Sequence, residues 1–472
     1  MKILLQKYKH FIFIAIVCII ITGCATYYAQ NIDFQNYIVN GNFQKADSWL
    51  DNHKKEATGK NQLLYYLNRG YVSWILQHYN ESNFFFTKAE HLIEDYIKNY
   101  YLEALTLISN PNVKPYQPED FEAIMVNYFM ALNYINLDKY DDALVECKRI
   151  NIKLNQLNDK YKDHKNRYQR DAFAHTLMGI IYEIDHDYNN AFIAYRNALE
   201  IYETDYTNYF NIPVPSQLKK DLLRTAYLTG FSEEVAYYEN KFKMKYQHQP
   251  KENGEVIFFW LNGFAPYKAE NSINFVKLPH QKKGYITLVN EEHNLSFPLY
   301  IGDKSSKEKR AFEELRFFRV AFPKYVERPP VYKNAVIYNN SRIYRLELLQ
   351  DINDIAFKTL KDRMVREMAN AIMRLATKKA LEMLADEQDK GLGTIINIVN
   401  TITEKADTRN WQTLPYSISY SRIPLSNGHN KLILKTNSTR GGAKSQTFNF
   451  DGKKGELYFH AYHTTATYNT HH

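Results

Sequence analysis

One spacing, repeated four times before residue 200, constrains this chain more than any other feature. Each copy has a small or apolar residue, an aromatic nine positions on, and a small residue three further. A larger or apolar residue follows four later, often with an Ala three beyond it. The fourth copy is Gly179, Tyr188, Ala191, Tyr195 and Ala198; the third is Ala131, Tyr140, Ala143, Cys147 and Ile150. The second is Gly70, Tyr79, Ser82, Phe86 and Ala89, and a degenerate first copy has Phe34, Phe43, Ala46 and Leu50. A small residue lets two antiparallel helices approach closely, the aromatic fills the gap at their turn, and the second small residue and its i+4 partner face the next copy. Asn42 before Phe43 and Asp138 before Tyr140 supply the polar stop-and-start between helices. The pattern predicts stacked helix pairs forming a curved solenoid.

This spacing resembles the tetratricopeptide repeat, which implies a concave surface that binds peptides, helices or other proteins. The alternative is that the helices pack only against the rest of the chain. The aromatics fall unevenly, at 43, 79, 140 and 188, so insertions lie between copies, one around Asn110 to Pro118 and one from Asn158 to Arg170. A partial fifth copy runs from Leu222 to Lys243, with Ala226, Gly230 and Val235. Cys147 falls at a packing position and is read as an inert small hydrophobe.

Near Gln249-Pro250 the pattern changes to a mixed α/β domain. Glu255 to Leu261 is a continuous apolar run expected of a buried strand, with a turn at Asn262-Gly263. Further strands are expected at 285–289, 295–301, 315–322, 331–338 and 343–349, with Pro298 placing the second of these at a sheet edge. Two long helices follow, over 352–384 and 395–402; the basic excess of the first is a solvated face or a contact for anionic lipid or peptidoglycan. The stretch 406–415 (ADTRNWQTLP) then brings Asp407, Thr408, Arg409 and Trp411 together in a loop. It is either a ligand-binding loop or a rigid corner in which Asp407 and Arg409 bond to backbone and Trp411 closes a core. Strands at 416–423, 431–435, 446–450 and 457–462 complete the domain.

The first residues concern the address. Lys2, Lys7 and Lys9 precede an apolar run from Phe11 to Ile21, too short to span a bilayer, and then Ile21-Thr22-Gly23-Cys24. That ending resembles the lipobox of bacterial lipoproteins. The resemblance implies cleavage before Cys24, acylation of Cys24, and, with Ala25 next, the outer membrane of a two-membrane bacterium. Loss of residues 1–23 removes three lysines and no acids, lowering the net charge from +8 to +5, far from a nucleic-acid binder. Only Cys147 would then remain besides the anchor, so no internal disulfide is expected.

Lipobox, degenerate repeats, the Leu261 to Pro266 strand-turn and the Ala406 to Trp411 motif with Leu414-Pro415 together resemble a family of bacterial tetratricopeptide-repeat lipoproteins. No reaction is established for that family, so it implies architecture and address only. The expected layout is a signal peptide (1–23), a lipidated linker (24–32), a repeat domain (33–248) and a mixed α/β domain (249–472). No phosphate loop, nucleophile elbow or zinc-protease motif occurs, and His460, His463, His471 and His472 lack the acids or cysteines of a metal site. The chain is therefore expected to be a non-enzymatic, cofactor-free scaffold that holds an envelope protein in its repeat groove. The other reading is a wall-associated factor touching peptidoglycan or a wall-synthesis enzyme through 406–411. An undescribed hydrolase would need a polar pocket that one sequence cannot show.

Overall fold

The computed structural model describes residues 26–103, 114–159, 167–248, 253–278, 284–292, 295–303, 305–306, 309–310, 317–364, 368–369, 371–372, 406–438 and 442–468. Cys24, residues 1–23, the expected helix at 395–402, His471 and His472 lie outside them. After a one-turn helix at Tyr27–Gln30 come five helix pairs. They are α1 (Ile32–Val39) with α2 (Phe43–Asn52), α3 (Gln62–Ile75) with α4 (Tyr79–Glu103), α5 (Asp120–Asn136) with α6 (Tyr140–Asp159), α7 (Ala172–Ile184) with α8 (Tyr188–Ile201), and α9 (Ser216–Leu228) with α10 (Ser232–Phe242).

The pairs share one turn chemistry. Gly41, Gln77, Asp138, His186 and Gly230 all take a left-handed φ. In each turn the next residue donates its N–H to a carbonyl five positions back, at 2.8–2.9 Å, from Asn42 to Tyr37 through Phe231 to Ala226. That is the bond that closes a helix with a left-handed cap. Gly70 and Gly179 sit where pair partners touch: an added Cβ would fall 2.6 Å from the Phe86 ring and 2.4 Å from the Tyr195 ring. Gly179→Ala should therefore cost about 1–3 kcal/mol through overpacking, exceeding the helix-propensity gain. Chemical denaturation checks this; an unchanged midpoint would contradict it. Ala131, Ala143, Ala191 and Ala198 are buried at the equivalent contacts, and Tyr79, Tyr140 and Tyr188 are half-buried as each second helix starts.

Among the described residues twelve strands follow, in chain order β1 (Glu255–Asn262), β2 (Tyr267–Lys277), β3 (Tyr285–Asn290), β4 (Leu295–Tyr300), β5 (Phe317–Val326), β6 (Tyr332–Asn339), β7 (Arg342–Arg345), β8 (Glu347–Asp351), β9 (Ser417–Pro424), β10 (Gly428–Ser438), β11 (Ala443–Gly452) and β12 (Leu457–Thr464). They form three four-stranded sheets, ordered β12-β1-β9-β8, β11-β10-β6-β7 and β4-β3-β2-β5. Among the described strands only β1 and β12 pair in parallel. Pro298 lies in β4, an edge strand as expected. A helix over 352–364, α11, buries Ile352, Ile355 and Leu360 in the core that contains the repeats. Met368 and Ile372 join Phe275, Leu288 and Phe322 in the third sheet's own core, and residues 373–384 of the expected helix lie outside the described residues.

Two expectations are corrected here. Residues 26–32 are not a free linker: Tyr27 is buried and its N–H donates to Thr408 Oγ1 at 3.1 Å, so the folded body begins by residue 27. The stretch 343–349 is not one strand, because the chain leaves one sheet after Arg345 and joins another at Glu347.

The helical and mixed halves share a single core. Ile257, Phe259 and Leu261 of β1, with Ile418 and Tyr420 of β9, belong to one apolar cluster with the repeats. The other face of that sheet, through Val256, Phe258 and Trp260, packs on Ile337, Leu432 and Leu434 of the outer sheet. β1 is therefore buried on both faces along its whole length, which explains its unbroken apolar run.

Candidate functional site: the inner face of the repeats

The first helices of the pairs line one face of the solenoid, the face that would bind a partner in a repeat groove. In α5 every residue except Tyr134 and Asn136 is buried, the signature of a helix covered on all sides. Its neighbours α4 and α6 cover two sides, through Asn133 to Ser82 and Asn127 to Glu146, and the chain's own C-terminal half covers the side left between them.

Residues 406–415 make the central contact. Trp411 has no exposed surface, and its indole packs against the stacked pair of Phe86 and Phe129, each 5.8 Å away. Its backbone N–H donates to the Glu122 carboxylate at 2.7 Å, and its Nε1–H to Thr413 Oγ1 at 2.7 Å. Arg409 is gripped by Asp407 through Nε and Nη2 (2.9 and 2.7 Å) and donates from Nη1 to the Lys60 carbonyl at 3.1 Å. Asn410 joins the Pro266 carbonyl to the Lys268 N–H. These bonds are the ones the corner reading calls for: Arg409 holds Asp407 and a backbone carbonyl, and Trp411 lies in the core. Thr408, Arg409 and Trp411 are buried and Asp407 is partly exposed, so a wall contact through 406–411 would have to be made by Asp407. Gly70 and Trp411, distant in sequence, are brought together through Phe86.

Further along the same face, polar bridges carry the junction. Asp171 caps α7 through the Ala174 N–H and also accepts from Tyr128, Tyr168, Tyr206 and Gln350 of β8. Arg422 of β9 is buried among three carboxylates, Glu183 of α7, Asp221 of α9 and Glu255 of β1. Arg224 shares Glu183 and Asp221 at 2.7 Å, and Tyr195 donates to Glu183 at 2.6 Å. Burial opposes the charge on Arg422, yet these acids hold its guanidinium well above its ordinary value. Of these residues only Tyr195 belongs to the repeat spacing; Asp171, Glu183, Asp221, Glu255 and Arg422 carry no sequence motif.

His460 and His463 lie on β12 and face opposite sides of its sheet, so they do not converge. A carbonyl can only accept, so His463 donates from Nε2 to Gly263 at 2.7 Å and its Nδ1 accepts from the Tyr71 hydroxyl at 2.8 Å. Burial pushes both histidines down to about 4 from 6.5. Unfolded, each binds a proton near 6.5 while the folded form stays neutral, so their stabilisation is complete above that pH and is lost as pH falls towards about 4. The melting midpoint should drop between pH 7 and pH 5, and His460→Phe, which loses no bond because Nε2 has no partner among the described residues, should flatten that drop. A drop of undiminished size in the variant would contradict it.

Two clefts open at the margins of the junction. One, about 820 Å³, lies above Arg224 and Arg422 and has Lys220 and Arg345 at its rim. The other, about 890 Å³, runs between the turns of the first repeats and β12.

No family model matches the chain, and no curated protein matches it. Among solved structures it is similar to the apo form of RapI, at 14% identity and a TM-score of 0.34, over 46% of this chain and 52% of that one. The match therefore spans about half the length of RapI. It is also similar to BtubC (BKLC) from P. vanneervenii, at 14% identity and a TM-score of 0.31, over 45% of this chain and 78% of that one. A tetratricopeptide repeat protein from Parabacteroides merdae matches at 13% identity and a TM-score of 0.20, over 47% and 80% of the two chains.

Proposed function

We propose that this chain is a non-enzymatic protein-interaction scaffold, anchored through acylated Cys24 to the outer membrane and facing the periplasm. The observation that carries the reading is that the inner face holds a polypeptide: residues 406–415 lie on it through apolar contact and bonds to backbone groups. Peptide binding is what this solenoid does, here within one chain. With that face taken, an envelope partner is expected on the surfaces left open, the two clefts and the outer sides of the second helices. Only Ala25 and Thr26 separate Cys24 from the helix that starts at Tyr27, so the anchor would hold the body close against the bilayer.

The test is crosslinking in intact cells, followed by purification of the tagged chain and mass spectrometry. One or two stoichiometric envelope proteins, lost in Cys24→Ala, are expected. A clean preparation without any partner would overturn the scaffold.

A further inference from the structure

β12 is the outermost strand of the sheet that packs on the repeats, and no strand lies beyond it among the described residues. It pairs with β1 in unbroken parallel register, from Glu255↔Leu457 to Asn262↔Thr464. In a parallel ladder successive residues turn their backbone groups to alternate sides. The Glu456 and Thr464 carbonyls accept from Glu255 and Gly263, at 3.1 and 2.8 Å, so the even-numbered residues of β12 bond inward. Leu457, Phe459, Ala461 and His463 then aim N–H and C=O at the free edge. Among the described residues no hydrogen bond meets those groups.

Proteins blunt such edges with charges, prolines, bulges or short strands. β12 uses none of these: LYFHAYHT is eight residues long, carries no Asp, Glu, Lys, Arg or Pro, and keeps its register throughout. The edge faces the 890 Å³ cleft, within the range of ligand sites. Every residue of β12 from His460 to Thr464 borders that cleft, whichever way its side chain points, so the cleft follows the strand's edge and not one of its faces. Phe43, Trp74 and Tyr79 form the wall on the repeat side; Tyr332 and Phe448 form the other. Among the described residues that line the cleft, Lys444 is the sole Lys, Arg, Asp or Glu.

We infer that the free edge of β12 is a strand-addition site, which takes an extended, proline-free segment of a protein partner with alternating apolar side chains and an acidic residue to meet Lys444. Backbone bonds to Leu457, Phe459, Ala461 and His463 would give affinity, and the aromatic walls would select alternate side chains. This rests on the scaffold reading and names the place and chemistry of its contact.

The probe is a displayed library of random octapeptides selected on the full chain. Expected are enriched sequences of alternating, proline-free type with an acid, whose affinity falls about tenfold or more when every second peptide amide is N-methylated. Ala461→Pro removes an outward N–H without touching the β1 ladder, a position where a strand tolerates proline, and should weaken binding by a similar factor. A readout independent of that variant's folding is hydrogen exchange in the unaltered chain. The amides of Phe459 and Ala461 should exchange faster than those of His460 and Tyr462, and slow down when an enriched peptide binds. The inference is overturned if no peptide enriches, if N-methylation has no effect, if the outward amides are already protected, or if the edge is found paired in a dimer. Partner capture in cells that persists in a folded Ala461→Pro variant would remove the edge site and leave the scaffold standing; no capture by the unaltered chain would remove the scaffold itself.

Discussion

Arg422→Met should destabilise the chain by about 3–5 kcal/mol, the cost of leaving buried charges without their partner. Glu183, Asp221 and Glu255 come from α7, α9 and β1, and Arg422 on β9 is the cation all three share. Arg224 still faces Glu183 and Asp221 in the variant, but Glu255 loses its guanidinium partner. Arg422→Lys should rescue only part of the loss, because one ammonium cannot reach acids arranged around a planar fork. The sign with pH is distinctive. Carboxylates stripped of a cation in a buried site take up protons more readily, so the penalty should shrink as pH is lowered from 7 to 5. Denaturation midpoints for the three proteins at both pH values test this, and a loss below about 1 kcal/mol would place the network outside the folding core.

Trp411→Ala should cost a comparable amount, about 3–5 kcal/mol, by opening a cavity beside the stacked rings of Phe86 and Phe129. Trp411→Phe should cost clearly less, since a ring still fills most of the space. The backbone N–H to Glu122 survives both changes, so the difference between the variants isolates packing. Were 406–411 an open binding loop, neither substitution would move the denaturation midpoint by more than a few tenths of a kcal/mol.

The repeats were legible because their signal is local. Gly70, Tyr79, Gly179 and Tyr188 meet partners within about twenty residues, and the same turn recurs at each pair. β1 was equally plain, since burial on both faces leaves a continuous apolar run. β2 was missed. Its Lys268, Glu270, Asn271, Ser272 and Asn274 leave no apolar run to mark a strand, yet Lys268 is buried in an ion pair with Glu119, and Glu270 accepts the Ala406 N–H. Neither partner can be found by spacing. The same holds for 406–411, whose residue types fit a ligand loop and a buried corner equally well. What decides is that Lys60, Phe86, Glu122 and Phe129, hundreds of residues upstream, supply the other half of the contact. The split of 343–349 between two sheets likewise depends on neighbours remote in sequence, β6 for one piece and β9 for the other.

The central claim is that the repeats and the C-terminal half form one interlocked body, with the inner face of the solenoid filled from within the chain. Hydrogen exchange across a urea titration tests it most directly, read in the same molecules for α5 and for β1. A shared core predicts that amides of Asp120–Asn136 and Glu255–Asn262 lose protection together, in a single transition at one denaturant concentration. Protection persisting in α5 after β1 has opened would show a solenoid that folds alone with a free inner face, and would contradict the account.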